Sequence, residues 1–210
     1  MTVFRRLALL GLCTVFGVVL AGGAAMAVEE PSFTTVFRDG AFEIRDYPPS
    51  VVAEVTVEGD QKQAAGRGFR LLAGYIFGGN RRRQSIAMTA PVAEIPAGQK
   101  IAMTAPVTQA GNDGRWVVRF TMPKSYTLDS LPVPNDPRVH LRRLPASQMA
   151  VLRFSGVAGQ RDLDEKSKAL DGMVKARGLK VVGPPSLAQY DPPWTLWFMR
   201  RNEVMVGVSR

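Results

Sequence analysis

Phe42-Glu-Ile-Arg-Asp-Tyr-Pro-Pro-Ser-Val-Val-Ala-Glu-Val-Thr-Val-Glu-Gly59 recurs without a gap, 97 residues on, as Val139-His-Leu-Arg-Arg-Leu-Pro-Ala-Ser-Gln-Met-Ala-Val-Leu-Arg-Phe-Ser-Gly156. Five of the 18 positions are identical (Arg45/Arg142, Pro48/Pro145, Ser50/Ser147, Ala53/Ala150 and Gly59/Gly156), where average residue usage would give about one. Apolar character also matches at Phe42/Val139, Ile44/Leu141, Val55/Leu152 and Val57/Phe154, a period of two in both copies. That period marks half-buried strands, so each copy reads as two strands joined by a Pro-containing turn.

A helical segment follows each copy. Asp60 caps a helix whose small and apolar residues Ala64, Ala65, Gly68, Leu71, Leu72, Tyr75 and Ile76 recur at three and four, with Gly78-Gly79 as its end. Gly66, Gly68 and Gly74 each weaken this helix by ~1 kcal/mol relative to Ala, so they suit a face that something approaches closely, either the sheet or a ligand. In the second half Asp162 reads as the cap of a helix with Leu163, Leu170, Met173 and Val174 inward and Gly178 as its stop. Further strand candidates are Ser85–Val92 with Lys100–Thr108 or Trp116–Met122, and Leu187–Tyr190 with Trp197–Val208. The expectation is an α+β domain over residues 28–210, built from two ββαββ units at about 36–123 and 138–208 with the proline-rich Pro123–Pro137 as linker. Two antiparallel sheets would curl toward a pseudo-two-fold open barrel with two outer helices.

A shorter repeat sits inside the first half, where Ile86-Ala-Met-Thr-Ala-Pro-Val92 returns letter for letter as Ile101-Ala-Met-Thr-Ala-Pro-Val107. Pro91 and Pro106 cannot donate to a ladder, so a strand ends or reaches an edge at each. Met88 and Met103 offer soft apolar surface to a flat ligand, or fill core.

Composition narrows the function. The 210 residues, 46% hydrophobic and 21% charged, are ordinary for a globular chain and exclude disorder as the default. One Cys and one His exclude a disulfide scaffold, a structural zinc centre and a Cys-His nucleophile pair. A hydrolase would have to use His140 with Ser and Asp, and no nucleophile elbow or telling carboxylate spacing accompanies it, so a non-enzymatic binding role is expected. At the N-terminus Arg5-Arg6, the uncharged stretch Leu7–Val28 and Ala25-Met26-Ala27 read as a signal peptide over residues 1–27, giving a periplasmic or secreted protein. The uncharged stretch is also long enough to span a bilayer, so an uncleaved anchor is the alternative. The 27 Lys and Arg against 18 Asp and Glu give +9. Without residues 1–27, which hold Arg5, Arg6 and no acid, the balance is 25 against 18, or +7, and an exported chain with this surplus suits an anionic membrane surface or a soluble acidic ligand, not nucleic acid.

Five motifs in order carry a family resemblance: Phe42-Glu-Ile-Arg-Asp-Tyr47; Gly68-Phe69 through Tyr75-Ile76-Phe77-Gly78-Gly79-Asn80; Met88-Thr-Ala-Pro-Val92; Phe120-Thr-Met-Pro123; and Tyr190-Asp-Pro-Pro193 followed by Arg200-Arg-Asn-Glu-Val204. Together they resemble the SOUL heme-binding protein family, from about Pro31 to Val208. That family is similar in fold to the gyrase-inhibitor-like effector-binding domains, and a small-molecule effector-binding module of that type is the alternative reading. The resemblance implies binding of heme or another porphyrin, without catalysis, in an apolar groove beside the first helix. The residues it points to are Phe69, Arg70, Leu72, Ala73, Met88, Tyr190, Trp194, Arg200 and Arg201.

No metal ligand is assigned: Tyr47, Tyr75, Tyr190, Met88 and Met103 could each ligate iron in principle, and the sequence selects none of them. Where certain relatives carry a histidine, this chain has Asp46. His140 aligns with Glu43 in the repeat and faces away from the apolar set, so tetrapyrrole binding is expected to be non-axial. Burying about 300 Å² of porphyrin surface yields ~7–8 kcal/mol, from which association removes at least ~4 kcal/mol. Arginine contacts to the propionates, at about 1.5–3 kcal/mol each, bring the net to about −8 kcal/mol, near micromolar. Arg67, Arg70, the Arg81-Arg82-Arg83 run and Arg200-Arg201 are the candidates.

Overall fold

A computed structural model describes residues 28–82, 98–112 and 114–210. The signal-peptide reading, the strand expected at Ser85–Val92 and the candidate Met88 lie outside the described residues.

The alternating stretch of the first copy forms β2 (Phe42–Tyr47) and β3 (Ser50–Glu58), and that of the second forms β8 (His140–Leu144) and β9 (Ser147–Ser155). Within a copy the two strands do not pair with each other. β2 pairs with β9, and β3 pairs with β8, both antiparallel. The connecting residues explain this: Pro48-Pro49 and Pro145-Ala146 cannot take the positive φ angles that a two-residue hairpin demands. The remaining strands are β1 (Thr34–Asp39), β5 (Val107–Asn112), β6 (Arg115–Thr121), β10 (Lys180–Gln189) and β11 (Arg201–Ser209). They complete one nine-stranded sheet in the order β1-β2-β9-β11-β10-β5-β6-β3-β8. Apart from β1, this order reads the same when the halves are exchanged. The 97-residue offset carries the pair Glu43–Val151 onto His140–Glu54. Gly59 and Gly156, which end the two copies, share positive φ angles of 123° and 121°.

Several expectations are corrected. Nine strands form one open sheet with edges at β1 and β8, in place of two sheets curling toward an open barrel. The strand expected at Lys100–Thr108 begins only at Val107, because Pro106 has no N–H to give. The one expected at Leu187–Tyr190 starts earlier, at Lys180, and tolerates Pro184-Pro185 through a register shift between Val182 and Ser186. The last strand starts at Arg201, with Trp197–Met199 in a 3-10 turn. Pro123–Pro137 is a packed segment: Leu131 is fully buried, and β7 (Val133–Pro134) pairs with β4 (Asn80–Arg81). β1 went unforeseen because its side chains are largely exposed and give no apolar alternation.

Helix α1 spans Gln61–Ile76, and Asp60 caps it by accepting the Gln63 N–H at 2.8 Å. Helix α2 spans Gln160–Ala176. Its N-cap is Gly159, not Asp162, whose carboxylate sits three residues in and accepts the Gly159 N–H at 3.1 Å. Both helices cover one face of the sheet. Leu72, Tyr75 and Ile76 of α1 and Leu163, Leu170 and Val174 of α2 join Ile44, Val55, Val118, Phe120, Leu152 and Val204 in one core. Alternation along the strands sends Arg45, Tyr47, Glu203 and Met205 to the opposite face.

Candidate functional site

Helix α1 has two contrasting flanks beside its buried stripe. Phe69 and Ala73, four residues apart, share one flank, and Phe77 follows at the helix end. Phe69 is 39% exposed, and its ring packs edge-on against Phe120 at 5.5 Å. Phe77 is exposed and Ala73 half-buried. The other flank carries Arg67, Arg70 and Leu71, which with Thr56, Val57, Glu58, Arg115 and Arg138 line an open depression of about 720 Å³. Arg67 donates to the Glu58 carbonyl at 3.2 Å. Arg138 grips Asp136 and holds that carboxyl down at about 2.

The three glycines of α1 separate here. A Cβ on Gly68 would stand 2.5 Å from Val118, so Gly68 lets the helix settle on β6. Gly74 has nothing near it, and Gly66 only the tip of Arg70.

The second apolar surface is the loop between β10 and β11. Trp194 is 82% exposed, and Leu196, Trp197, Phe198 and Met199 are exposed beside it. The loop stands at the same end of the sheet as Phe69. Phe120, under Phe69, is opposite Val107 in register, and Val107 is opposite Gln189, the last residue of β10. Gln61 of α1 donates to Gln109 at 3.1 Å, and Gln109 donates to Gln189 at 3.0 Å, so the first turn of the helix is tied to the point where the loop departs.

The other candidates have different surroundings. Leu72 is wholly buried in the core and presents nothing to a ligand. Arg200 turns back on its own loop, donating to the carbonyls of Thr195 and Pro193. Arg201 is engaged by Glu203 at 3.1 Å and Glu30 at 3.0 Å and lies over the Tyr190 ring. The Tyr190 hydroxyl donates to Glu203 at 2.6 Å. These contacts belong to a polar cluster on the face away from the helices. At its centre the wholly buried Glu203 accepts two hydrogen bonds from the nearly buried Arg45, which also donates to Glu43 at 2.6 Å and to Tyr47. Phe33 covers Arg45 at 4.2 Å.

Burial pushes the Tyr190 hydroxyl well above its ordinary range, and the Glu203 charge adds to this. Burial works to raise Glu203 too, yet the hydrogen bonds from Arg45 and Tyr190 outweigh it and hold the carboxyl below its ordinary value. Sequence reasoning quoted Arg45, Tyr47, Tyr190 and Glu203 as motif letters without seeing that they meet. It also missed Arg115 and Arg138, whose only signal was their charge.

His140 is exposed on edge strand β8, opposite Glu54 in register. Glu54 alternates with the core residues Ala53 and Val55, so His140 is on the face away from α1. Among the described residues no cluster of three His, Cys, Asp or Glu is placed to hold a metal ion. A cleft of about 610 Å³ between Glu29–Ser32, Tyr47–Pro49 and Met122–Asp129 is lined by Glu30, the partner of Arg201, and by none of the candidates among the described residues.

Comparison with known proteins places this arrangement. The chain is 26% identical over 203 residues to Heme-binding protein 2 of Mus musculus, covering 90% of this chain and 94% of that protein. Among solved structures it is similar to the EcmrR C-terminal domain, with a TM-score of 0.57, 12% identity, and coverage of 80% of this chain and 97% of that one. It is also similar to a structure described as a hydrolase from Listeria innocua, with a TM-score of 0.53, 12% identity, and coverage of 83% and 94%. Likenesses at such identity concern the fold alone. The profile of the SOUL heme-binding protein family matches residues 28–207, and the chain belongs to that family.

Proposed function

We propose that this chain is an exported, non-catalytic carrier or buffer that holds heme or a related tetrapyrrole between the Phe69–Ala73 flank of α1 and the loop bearing Trp194. The observation that carries this reading is the meeting of two chemistries on one helix. A porphyrin is a flat apolar disc with two carboxylates. One flank of α1 offers Phe69, Ala73 and Phe77, and the other offers Arg67 and Arg70 beside Arg115 and Arg138. The residues present therefore fit the group. Phe69 and Ala73 would meet the disc, and Arg70, next to Phe69 in sequence and lining the basic depression, would take a propionate. Arg200 braces the loop, and Arg201 and Tyr190 support it through Glu203. With His140 on the far face, iron coordination contributes little to holding the ligand. The bound group would supply whatever redox or gas-binding chemistry its metal allows; the chain supplies apolar contact, charge and orientation.

The relative named Heme-binding protein 2 and the family itself support the tetrapyrrole class. Export rests on the Arg5-Arg6, Leu7–Val28 and Ala25-Met26-Ala27 pattern. We further infer that the two halves descend from a duplication, on the strength of the five identities, the exchange-symmetric strand order and the matching Gly59 and Gly156 angles.

The deciding experiment is a titration with heme and, in parallel, with iron-free protoporphyrin, followed by Soret absorption and tryptophan quenching. Near-micromolar binding of both supports the reading. Failure of both, with tight binding of unrelated flat cations, would favour an effector-binding module. N-terminal sequencing of the cell-derived protein tests export, with Val28 as the expected first residue.

A further inference from the structure

We propose that the loop Pro192–Met199 is a rigid prong that docks the protein on an anionic lipid surface. The tetrapyrrole reading uses the Trp194 side of this loop as a wall, but the proposal is argued from the loop's exposure and the chain's charge, and it stands or falls without bound ligand. Trp194, Leu196, Trp197, Phe198 and Met199 are between 55% and 82% exposed, five large apolar side chains within six residues. Soluble chains rarely leave such a cluster in water unless something covers it.

The prong is held in shape without a core. Thr195 N–H donates to the Pro192 carbonyl at 3.0 Å and Met199 N–H to the Leu196 carbonyl at 2.9 Å. The Arg200 guanidinium ties down the carbonyls of Thr195 and Pro193. The Trp197 and Phe198 rings stack edge-on at 5.7 Å. At its foot, Asp191 accepts the Arg201 N–H at 2.6 Å, and Arg201 is itself locked to Glu203. A preorganised prong inserts without the cost of ordering a flexible loop.

Composition and charge select the occupant. Tryptophan, with an apolar body and one N–H donor, settles at the boundary between headgroups and acyl chains. Residues 192–200 contain Arg200 and no acid, whereas Arg201 is engaged by Glu203 and Glu30, so the surplus belongs mainly to the chain as a whole, 27 basic against 18 acidic residues, or 25 against 18 without residues 1–27. That surplus complements anionic headgroups. A protein partner or second copy fits less well, since a stable interface takes about 20–30 residues a side and the prong Pro192–Met199 offers eight.

The chain carries its own local reporters, because Trp116 is buried and Trp194 and Trp197 are exposed. Local readout matters, since the apolar N-terminal stretch, if retained, would bring the chain to any vesicle. The test adds vesicles of phosphatidylcholine, alone or mixed equally with phosphatidylglycerol, to the cell-derived protein at physiological salt. The expected result is a blue shift of tryptophan emission and quenching by brominated acyl chains with the mixed vesicles, both at least tenfold weaker in lipid titre with phosphatidylcholine alone. Trp197→Ser combined with Phe198→Ser should abolish most of the shift at unchanged circular dichroism; the quenching arm needs no variant and stands if that pair fails to fold. Unchanged emission and no quenching by brominated lipid would overturn the proposal. So would equal response to both vesicles, or lipid-free dimerisation at micromolar concentration that the double substitution removes, which would make the prong a protein interface.

Discussion

The guanidinium of Arg45 holds the carboxylate of Glu203 through two parallel hydrogen bonds, Nη1 to Oε2 at 2.8 Å and Nη2 to Oε1 at 3.0 Å, across 158 residues of chain. Both side chains are buried, at 2% and 0% exposure, so neither charge has water to fall back on. Such a pair adds little over an apolar replacement of the same size, but breaking it from one side strands a charge. Arg45→Ala should therefore lower unfolding free energy by about 3–5 kcal/mol in urea titration. Arg45→Met with Glu203→Leu should recover most of that loss. A single substitution costing under about 1 kcal/mol would show the pair to be solvated in solution.

The same cluster sets two pH limits. Glu203 has its carboxyl depressed below the ordinary 4.5 in the folded state, so its contribution is complete above that value and is lost as pH falls through the lower native one. Glu54, held low by Arg119 and Arg142 against its own burial, adds to the same acid limb. Tyr190 is shifted the other way, above its ordinary 10.0, so its contribution is complete below pH 10 and is lost as pH rises beyond it. Melting temperatures followed from pH 2 to 11 should fall at both ends. Glu203→Gln should flatten the acid limb, and Tyr190→Phe the alkaline one.

Two glycines of one helix should respond oppositely to the same methyl group. Gly74→Ala meets open space and should stabilise by about 0.8–1 kcal/mol through helix propensity alone. Gly68→Ala drives a Cβ into Val118 and should destabilise by about 1–3 kcal/mol through overpacking against β6. Equal effects in thermal unfolding would contradict the close seating of α1 on the sheet.

Ala73→Glu places a carboxylate on the apolar flank of α1 without touching the buried stripe. Tetrapyrrole affinity should fall at least tenfold, or about 1.4 kcal/mol, with the melting temperature nearly unchanged. Full affinity in a folded Ala73→Glu protein would move the ligand elsewhere.

His140→Ala should leave the Soret band of the heme complex where it was, because the imidazole projects from the sheet face away from α1. Replacing heme by iron-free porphyrin should change affinity by less than tenfold. Loss of a six-coordinate spectrum on His140→Ala would restore that residue as the ligand.

The α+β class, both helices and the strand pairs of the repeat were legible because each rests on local periodicity. Asp60 announced α1, and the alternation from Phe42 to Glu58 announced β2 and β3. What was not legible is which strand each would pair with. Alternation says which side chains face inward, and it is silent on whether Ile44 finds Val55 in its own copy or Ala150 in the other, as it does. The candidate site divides on the same line. Phe69 and Ala73 could be placed on one helix flank by counting residues, whereas the gathering of Arg45, Tyr47, Tyr190 and Glu203 depends on strand neighbours. Leu72, read as a ligand contact, belongs to the stripe that packs on the sheet; the helix rotation separating it from Ala73 is about 100°.

The crossed pairing of β2 with β9 and of β3 with β8 also governs how the molecule can be built. A ribosome that has released only residues up to Pro137 has made five of the nine strands of the large sheet, but not β9 and β8, which complete the flanks of β2 and β3. Cutting the chain within Pro123–Pro137 would yield two fragments with exposed strand edges rather than two independent domains, and those edges would seek each other. Loop closures of roughly a hundred residues must precede the reward of zipping the sheet, which slows folding relative to a chain of local hairpins. Until Ser209 is available, the growing polypeptide is a substrate for chaperones more than a half-finished protein.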